Sequence, residues 1–160
     1  MSTSKVPDVI DYLVGLFTND VTLGQAPAPN TVAVYDGPRL EQSPSQRNLY
    51  VGMTDPDANE PVAANSVATW AGQGRQAVNE DITIHCCAEA WSGETDVRTL
   101  RQAVYGIFGA VQDLIRGDVQ LSGGVLWWAP VGPEHELQQN QTDQGAIVKV
   151  LFQIDAKARI

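Results

Sequence analysis

The chain predicts an α+β domain: a mostly antiparallel or mixed sheet with two main helices packed on one face. Three stretches carry that expectation. Residues 80–91 alternate, with Ile82, Ile84, Cys86, Ala88 and Ala90 on one side and Thr83, His85, Cys87, Glu89 and Trp91 on the other. Directly after them, Val97, Leu100, Val104, Ile107, Val111 and Leu114 recur three and four apart, one apolar stripe along a helix, widened by Phe108 and Ile115. Residues 145–156 alternate again, with Ala146, Val148, Val150, Phe152 and Ile154 on the apolar side. At 160 residues, 43 % of them hydrophobic, the chain can bury a core without disulfide or metal staples, so residues 1–160 are expected to form a single domain.

The first helix is expected over residues 5–18, where Val6, Ile10, Leu13, Val14 and Phe17 keep helical spacing. Pro7 falls in the first turn, where its missing N–H is harmless, and Ser4 is positioned to cap. Residues 19–30, with Gly24, Pro27 and Pro29, read as a loop. Strands are expected at 31–35 and 48–53, joined across the turn signal Asp36-Gly37-Pro38 as an antiparallel hairpin with a long connection.

Residues 54–79 have no sustained period and read as a long loop or arm. This segment either holds a short strand near 67–70 or orders against a partner. Trp70, between small and flexible residues, is either an interface anchor or a group folded back on its own core.

The second helix opens at Glu94 or Thr95 and ends at Gly117, with Asp96 and Arg116 placed as the helix dipole favours. Gly106 and Gly109 weaken it by roughly 1 kcal/mol each, which makes sense if another backbone packs closely there. Residues 125–129 form a strand. The polar stretch 132–145 continues as extended chain through Glu136 and Leu137 before turning at 139–144. In the last strand, Ile147 and Leu151 lie on the second face among Lys149, Gln153 and Asp155, so that face is only partly wet and suits burial between subunits. Of Trp127 and Trp128, one ring points into the core and the other out, either as a cover on the sheet surface or, the favoured reading, as a subunit contact.

Charge narrows the function. The formal net charge is −9, and no Lys or Arg stands between Asn48 and Gly74 or between Gly117 and Val148. Tight DNA binding needs a basic footprint, and none is visible. No apolar run has the length to cross a bilayer, and the N-terminus lacks the pattern of a secretory signal, so the expected place of synthesis is the cytosol. Cys86 and Cys87 are neighbours on a strand, so one faces the core and the other does not, and a reduced compartment follows.

No catalytic constellation emerges. His85-Cys86-Cys87 splays its side chains too far apart for tetrahedral metal, and His85 and Cys87 lie about 6–7 Å apart along a strand. Glu134-His135-Glu136 reads as a solvated loop. Asp55-Pro-Asp57 lacks the glycine and terminal glutamate of a calcium loop, and Gly72-Gln-Gly74 lacks the strand and helix of a dinucleotide turn. The chain is therefore expected to be no enzyme and to use no cofactor and no metal, with Trp70, Trp127, Trp128, Ile147 and Leu151 as the candidate subunit or partner interface.

Taken as a whole, the pattern resembles a known family. The residues concerned are the N-terminal helix around Val6-Pro7-Asp8-Val9-Ile10 and the strand and turn Val34-Tyr35-Asp36-Gly37-Pro38. They continue with the strand from Ile82 to Gly93, the helix to Gly117, Leu126-Trp127-Trp128, and Gln141-Thr-Asp-Gln-Gly145 leading into an alternating strand. Nearly the full chain resembles the small tail-terminator and head-tail joining proteins of long-tailed bacteriophages, most like those of phages of actinobacteria. The resemblance implies a virion structural subunit, made in the host cytoplasm, that forms a hexameric ring at the head-proximal end of the tail. Its partners would be its own copies, the tail-tube protein and the head connector or stopper, with DNA passing through the lumen without specific binding and no membrane involved. It carries over no catalytic residue. Two other readings stand beside it: a tail-tube or head-completion protein, and a small α+β ligand-binding protein or enzyme with a cleft between helix and sheet.

Overall fold

The computed structural model describes residues 4–38, 45–54, 62–70, 78–93, 96–117, 126–128, 131–142 and 145–159, with side chains left aside at 126–128, 131, 133 and 142. The element order is α1 (Val6–Thr18), β1 (Ala33–Asp36), β2 (Arg47–Val51), β3 (Ala64–Trp70), β4 (Val78–Ser92), α2 (Val97–Gly117), β5 (Leu126–Trp128), β6 (Val131–Thr142) and β7 (Gly145–Arg159). The fold is α+β, with both helices on one face of a mostly antiparallel mixed sheet.

Two long strands form the centre. β4 and β7 pair antiparallel from Asn79–Arg159 to Ser92–Ala146. The free side of β4 is shared end to end by β2, opposite residues 86–90, and β3, opposite residues 78–84. The free side of β7 is shared in the same way by β6 and β5. β1 pairs with β2 in parallel, not as the expected antiparallel hairpin. The connection is long enough to carry the chain back to its starting end, which a tight turn would forbid.

Alternation decides what is buried. The even-numbered residues of β4 and β7, from Ile82 to Ala90 and from Ala146 to Ala158, face the helices and form the main core. α2 contributes Leu100, Val104, Ile107, Phe108, Val111 and Ile115, and α1 adds Val9, Leu13 and Phe17. Leu23 and Val32, in the loop after α1, are also buried there. At about 1.5–3 kcal/mol for each fully buried apolar side chain, the α2 stripe outweighs two glycines at about 1 kcal/mol each. The close backbone contact expected at those glycines from the sequence is not found: among the described residues a Cβ at Gly106 or Gly109 would meet nothing within 4 Å.

The helix starts are fixed from different sources. Asp96 caps α2, its carboxylate accepting from the Thr99 N–H (3.2 Å) and hydroxyl (2.5 Å). These bonds, the side-chain one foremost, hold the Asp96 carboxyl below its ordinary value. Ser4 is not the N-cap of α1, a position held by Lys5, although its Oγ accepts from the Val6 N–H at 3.1 Å. A strand residue finishes that cap: buried Glu80 accepts from the Lys5 N–H (2.8 Å) and the Ser4 hydroxyl (2.6 Å).

The second face has a core of its own. Tyr50, Met53 and Cys87 cluster there with half-buried Tyr35 and Leu151, and the two tyrosine rings stack at 5.3 Å. Cys87 points away from the helices, as expected, yet is buried nonetheless. Beside it Asn48 donates to Glu89 Oε1 (3.2 Å) and to the Ser45 carbonyl (2.9 Å), and Glu89 lies directly opposite Lys149 in the ladder, all three buried. The Trp91 indole N–H also donates to the Ser45 carbonyl, at 2.8 Å.

Two glycines give opposite expectations. Gly106→Ala should raise the urea midpoint at unchanged m-value, a gain of about 0.5–1 kcal/mol. Gly145→Ala should lower it sharply, because Gly145 has φ +137° and an added Cβ would fall 2.1 Å from the Ser92 carbonyl oxygen.

Candidate assembly surface

The stretch expected to be a long loop contains β3, so the strand option near 67–70 is the one adopted, while residues 55–61 and 71–77 lie outside the described residues. β3 reads Ala-Asn-Ser-Val-Ala-Thr-Trp, with no charge, no proline and no glycine. Every residue from Asn65 to Trp70 is exposed, so the strand is held by its ladder to β4 and not by burial. Its period is invisible in the sequence because neither face packs. Trp70 is 72 % exposed and Val67 62 % exposed, on opposite faces. Trp70 has therefore not folded back on its own core. Nearby on β4, Asn79 Oδ1 is buried with no hydrogen-bond partner among the described residues.

β6 is the other outer strand. It is longer than expected, running on to Thr142 where a turn at 139–144 was anticipated. Glu134-His135-Glu136 lies on it as strand, not as loop, though all three residues are exposed. Parity again explains the placement. His135, opposite Phe152, stands on the helix side. Its ring lies 5.0 Å from that of Phe108, and its Nε2 is 3.2 Å from the Tyr105 hydroxyl. Arg101 on α2 donates to Gln139 Oε1 at 2.8 Å. These contacts fasten the outer strand to α2.

The residues expected to form one interface do not converge. Trp70 and β5 sit at the same end of the sheet, since Trp70 is opposite Val78 and Leu126 opposite Ala158. Ile147 is opposite Trp91, thirteen residues along β4 from Val78 and hence roughly 40 Å away. Leu151 lies between, half covered by the chain's own Tyr50, Met53 and Cys87. The side chains of Trp127 and Trp128 lie outside the described residues. Val67 and the outer edges of β3 and β6 were missed, and the one sequence signal for them was the absence of charge from residues 64–70.

An open groove of about 430 Å³ crosses the second face, lined by Thr54, His85, Glu134, Glu136, Leu151 and Gln153 among others. Asn65 Nδ2 stands 3.0 Å from His85 Nε2, which in this amide orientation must accept and so requires the neutral ring. Burial lowers the pKa of His85 from its ordinary value, against the opposing pull of the Asp155 carboxylate. Burial pushes the Cys86 thiol up to about 12, so it stays protonated at neutral pH. Among the described residues no three His, Cys, Asp or Glu side chains group to hold a metal ion, and no helix is long and apolar enough to cross a membrane.

At its two sides the sheet presents an uncharged outer strand with two exposed apolar side chains and, opposite, an amide-rich outer strand. No protein-family model matches the chain, and a search of the curated proteins finds no match.

Two substitutions should separate surface from core. Val104→Asp, at a fully buried site, places an unpaired charge in the core and should abolish cooperative folding, a loss of about 4 kcal/mol or more. Trp70→Ala should leave the melting curve within about 0.5 kcal/mol of wild type and act on assembly alone. A pH titration tests His85. Its folded pKa lies below the unfolded one, so its contribution is complete above the ordinary histidine range and is lost as pH falls through that range. The stability measured below pH 6.5 should therefore decline less steeply in His85→Gln.

Proposed function

We propose that this chain is a virion structural subunit that closes with its own copies into a ring, hexameric by family likeness, at the head-proximal end of a long-tailed bacteriophage tail. The ring ends polymerisation of the tail tube and offers the head connector a docking face. DNA passes through its centre without specific binding. The observation that carries this reading is β3, an uncharged strand exposed on both faces that holds Trp70 and Val67 out in solvent. Exposed apolar groups on a strand whose outer edge has no partner strand among the described residues suit a protein that works by joining other chains. The net charge of −9 suits a passage that must not grip DNA, since a basic lumen would hold phosphates. The resemblance of the sequence pattern to tail-terminator and head-tail joining proteins supports the proposed place in the virion.

Electron micrographs of the purified protein test the ring. Closed annuli of one diameter are expected, whereas open-ended tubes would favour a tail-tube protein. A phage lacking the chain should build tails of uncontrolled length that fail to join filled heads. Tails of normal length on filled heads would overturn the proposal.

A further inference from the structure

The two sides of the sheet are unlike. On the β4 side the outermost strand at one end is β3, with no charge. On the β7 side it is β6, which carries Glu134 and Glu136 and the amides of Gln138, Gln139, Asn140 and Gln141. Hydrogen-bond parity shows which backbone groups each strand leaves unused by its own ladder among the described residues. The His85 N–H donates to the Ala63 carbonyl at 3.0 Å. Ala63 stands opposite His85, because Ala64 pairs with Ile84. The bonded pairs of this ladder therefore fall at odd residues of β3, and the N–H and C=O groups of Ala64, Ser66, Ala68 and Trp70 point away from β4. On β4, odd residues bond toward β2 and β3, so even residues bond toward β7, where each meets an even residue. The odd residues of β7 are then left for β6, where Leu151 meets Glu136 and Lys149 meets Gln138. The backbone groups of His135, Leu137 and Gln139 on β6 consequently point outward.

We infer that β3 of one copy pairs edge to edge with β6 of a second copy, so that copies join head to tail in one continuous sheet. The inference rests on the proposed ring and names its contact. Charge favours the occupant. Two chains of net charge −9 repel, and pairing β6 with another β6 would gather four carboxylates, whereas β3 meets β6 with none of its own. Symmetry favours it as well. Pairing β3 with β3 is isologous and stops at a dimer, while unlike edges propagate and can close. Direction agrees, since β3 and β6 run opposite ways through β4 and β7 and their junction continues the antiparallel alternation.

Stagger comes close to what closure needs. β3 is centred opposite Asp81, and the middle of β6 lies level with Ala88. Matching the two edges shifts each copy by roughly 23 Å along the strands for every four-strand repeat of roughly 19 Å, using ordinary rise and spacing. That is a strand tilt of roughly 50°, slightly steeper than the roughly 35–45° of typical closed sheets.

Proline placed where an N–H points outward tests this without removing a bond from either ladder. Ala68→Pro blocks the β3 edge and Leu137→Pro the β6 edge. Sedimentation at millimolar concentration should give rings or oligomers for wild type and monomers for each variant alone. An equimolar mixture should give a 1:1 dimer and nothing larger, since each variant keeps the edge the other has lost. The dimer also shows that both variants are folded, and Ser66→Pro with Gln139→Pro is the replacement pair if either fails to fold. Association of Leu137→Pro alone would mean β3 pairs with β3 and would overturn the inference. So would monomeric wild type. Rings built by Ala68→Pro would overturn the contact while leaving the ring itself standing. Normal virus tails made without the chain would remove the proposed function whatever the variants do.

Discussion

β4 and β7, each of fifteen residues, pair along almost their whole length, and every other element but β1, which pairs with β2, takes its place from an edge or a face of that pair. An antiparallel ladder of this extent satisfies the backbone groups of alternate residues and leaves two faces and two sides to be used. The helices take the even-numbered face. Four strands divide the two sides between them, β2 and β3 on one, β6 and β5 on the other. Without that long pairing β3 would have nothing to hold it, because it buries almost nothing.

The register of the ladder is set on both faces at once. On the helix side Phe152 packs against Phe108, their ring centroids 4.9 Å apart, while on the other side Glu89 lies opposite Lys149 beside Asn48. A slip of one residue would turn Lys149 into the apolar core and Phe152 out of it. A buried polar group with its partners arranged on one face therefore reinforces what apolar packing demands on the other. The small cluster of Tyr50, Met53 and Cys87 adds to the same effect.

The proposed role follows from what the pair leaves unfinished. A sheet with covered sides would be a closed object. Here β3 and β6 face outward on opposite sides, with different charge and different side chains, which is the condition for unlike contacts between copies. His85 adds a chemical tie at the root of β3, through its 3.0 Å contact with Asn65.

The period-two runs at residues 80–91 and 145–156 and the helical stripe from Val97 to Leu114 determined the two central strands, α2 and the side on which it packs. These elements are half buried, so burial writes a period into the residues. α1 was legible for the same reason. β3 was legible only as one of two options, and β6 only as far as Leu137, because main-chain bonds hold them and a strand exposed on both faces has no apolar rhythm to betray it. The parallel pairing of β1 and β2 was hidden too, since a long connection permits either direction. The sequence could send Cys87 and Glu89 to the second face. Only the tertiary structure decided that they are buried there, because the chain around Ser45, Tyr50 and Met53 reaches them from another part of the polypeptide, and no local pattern records which distant residues will cover a face.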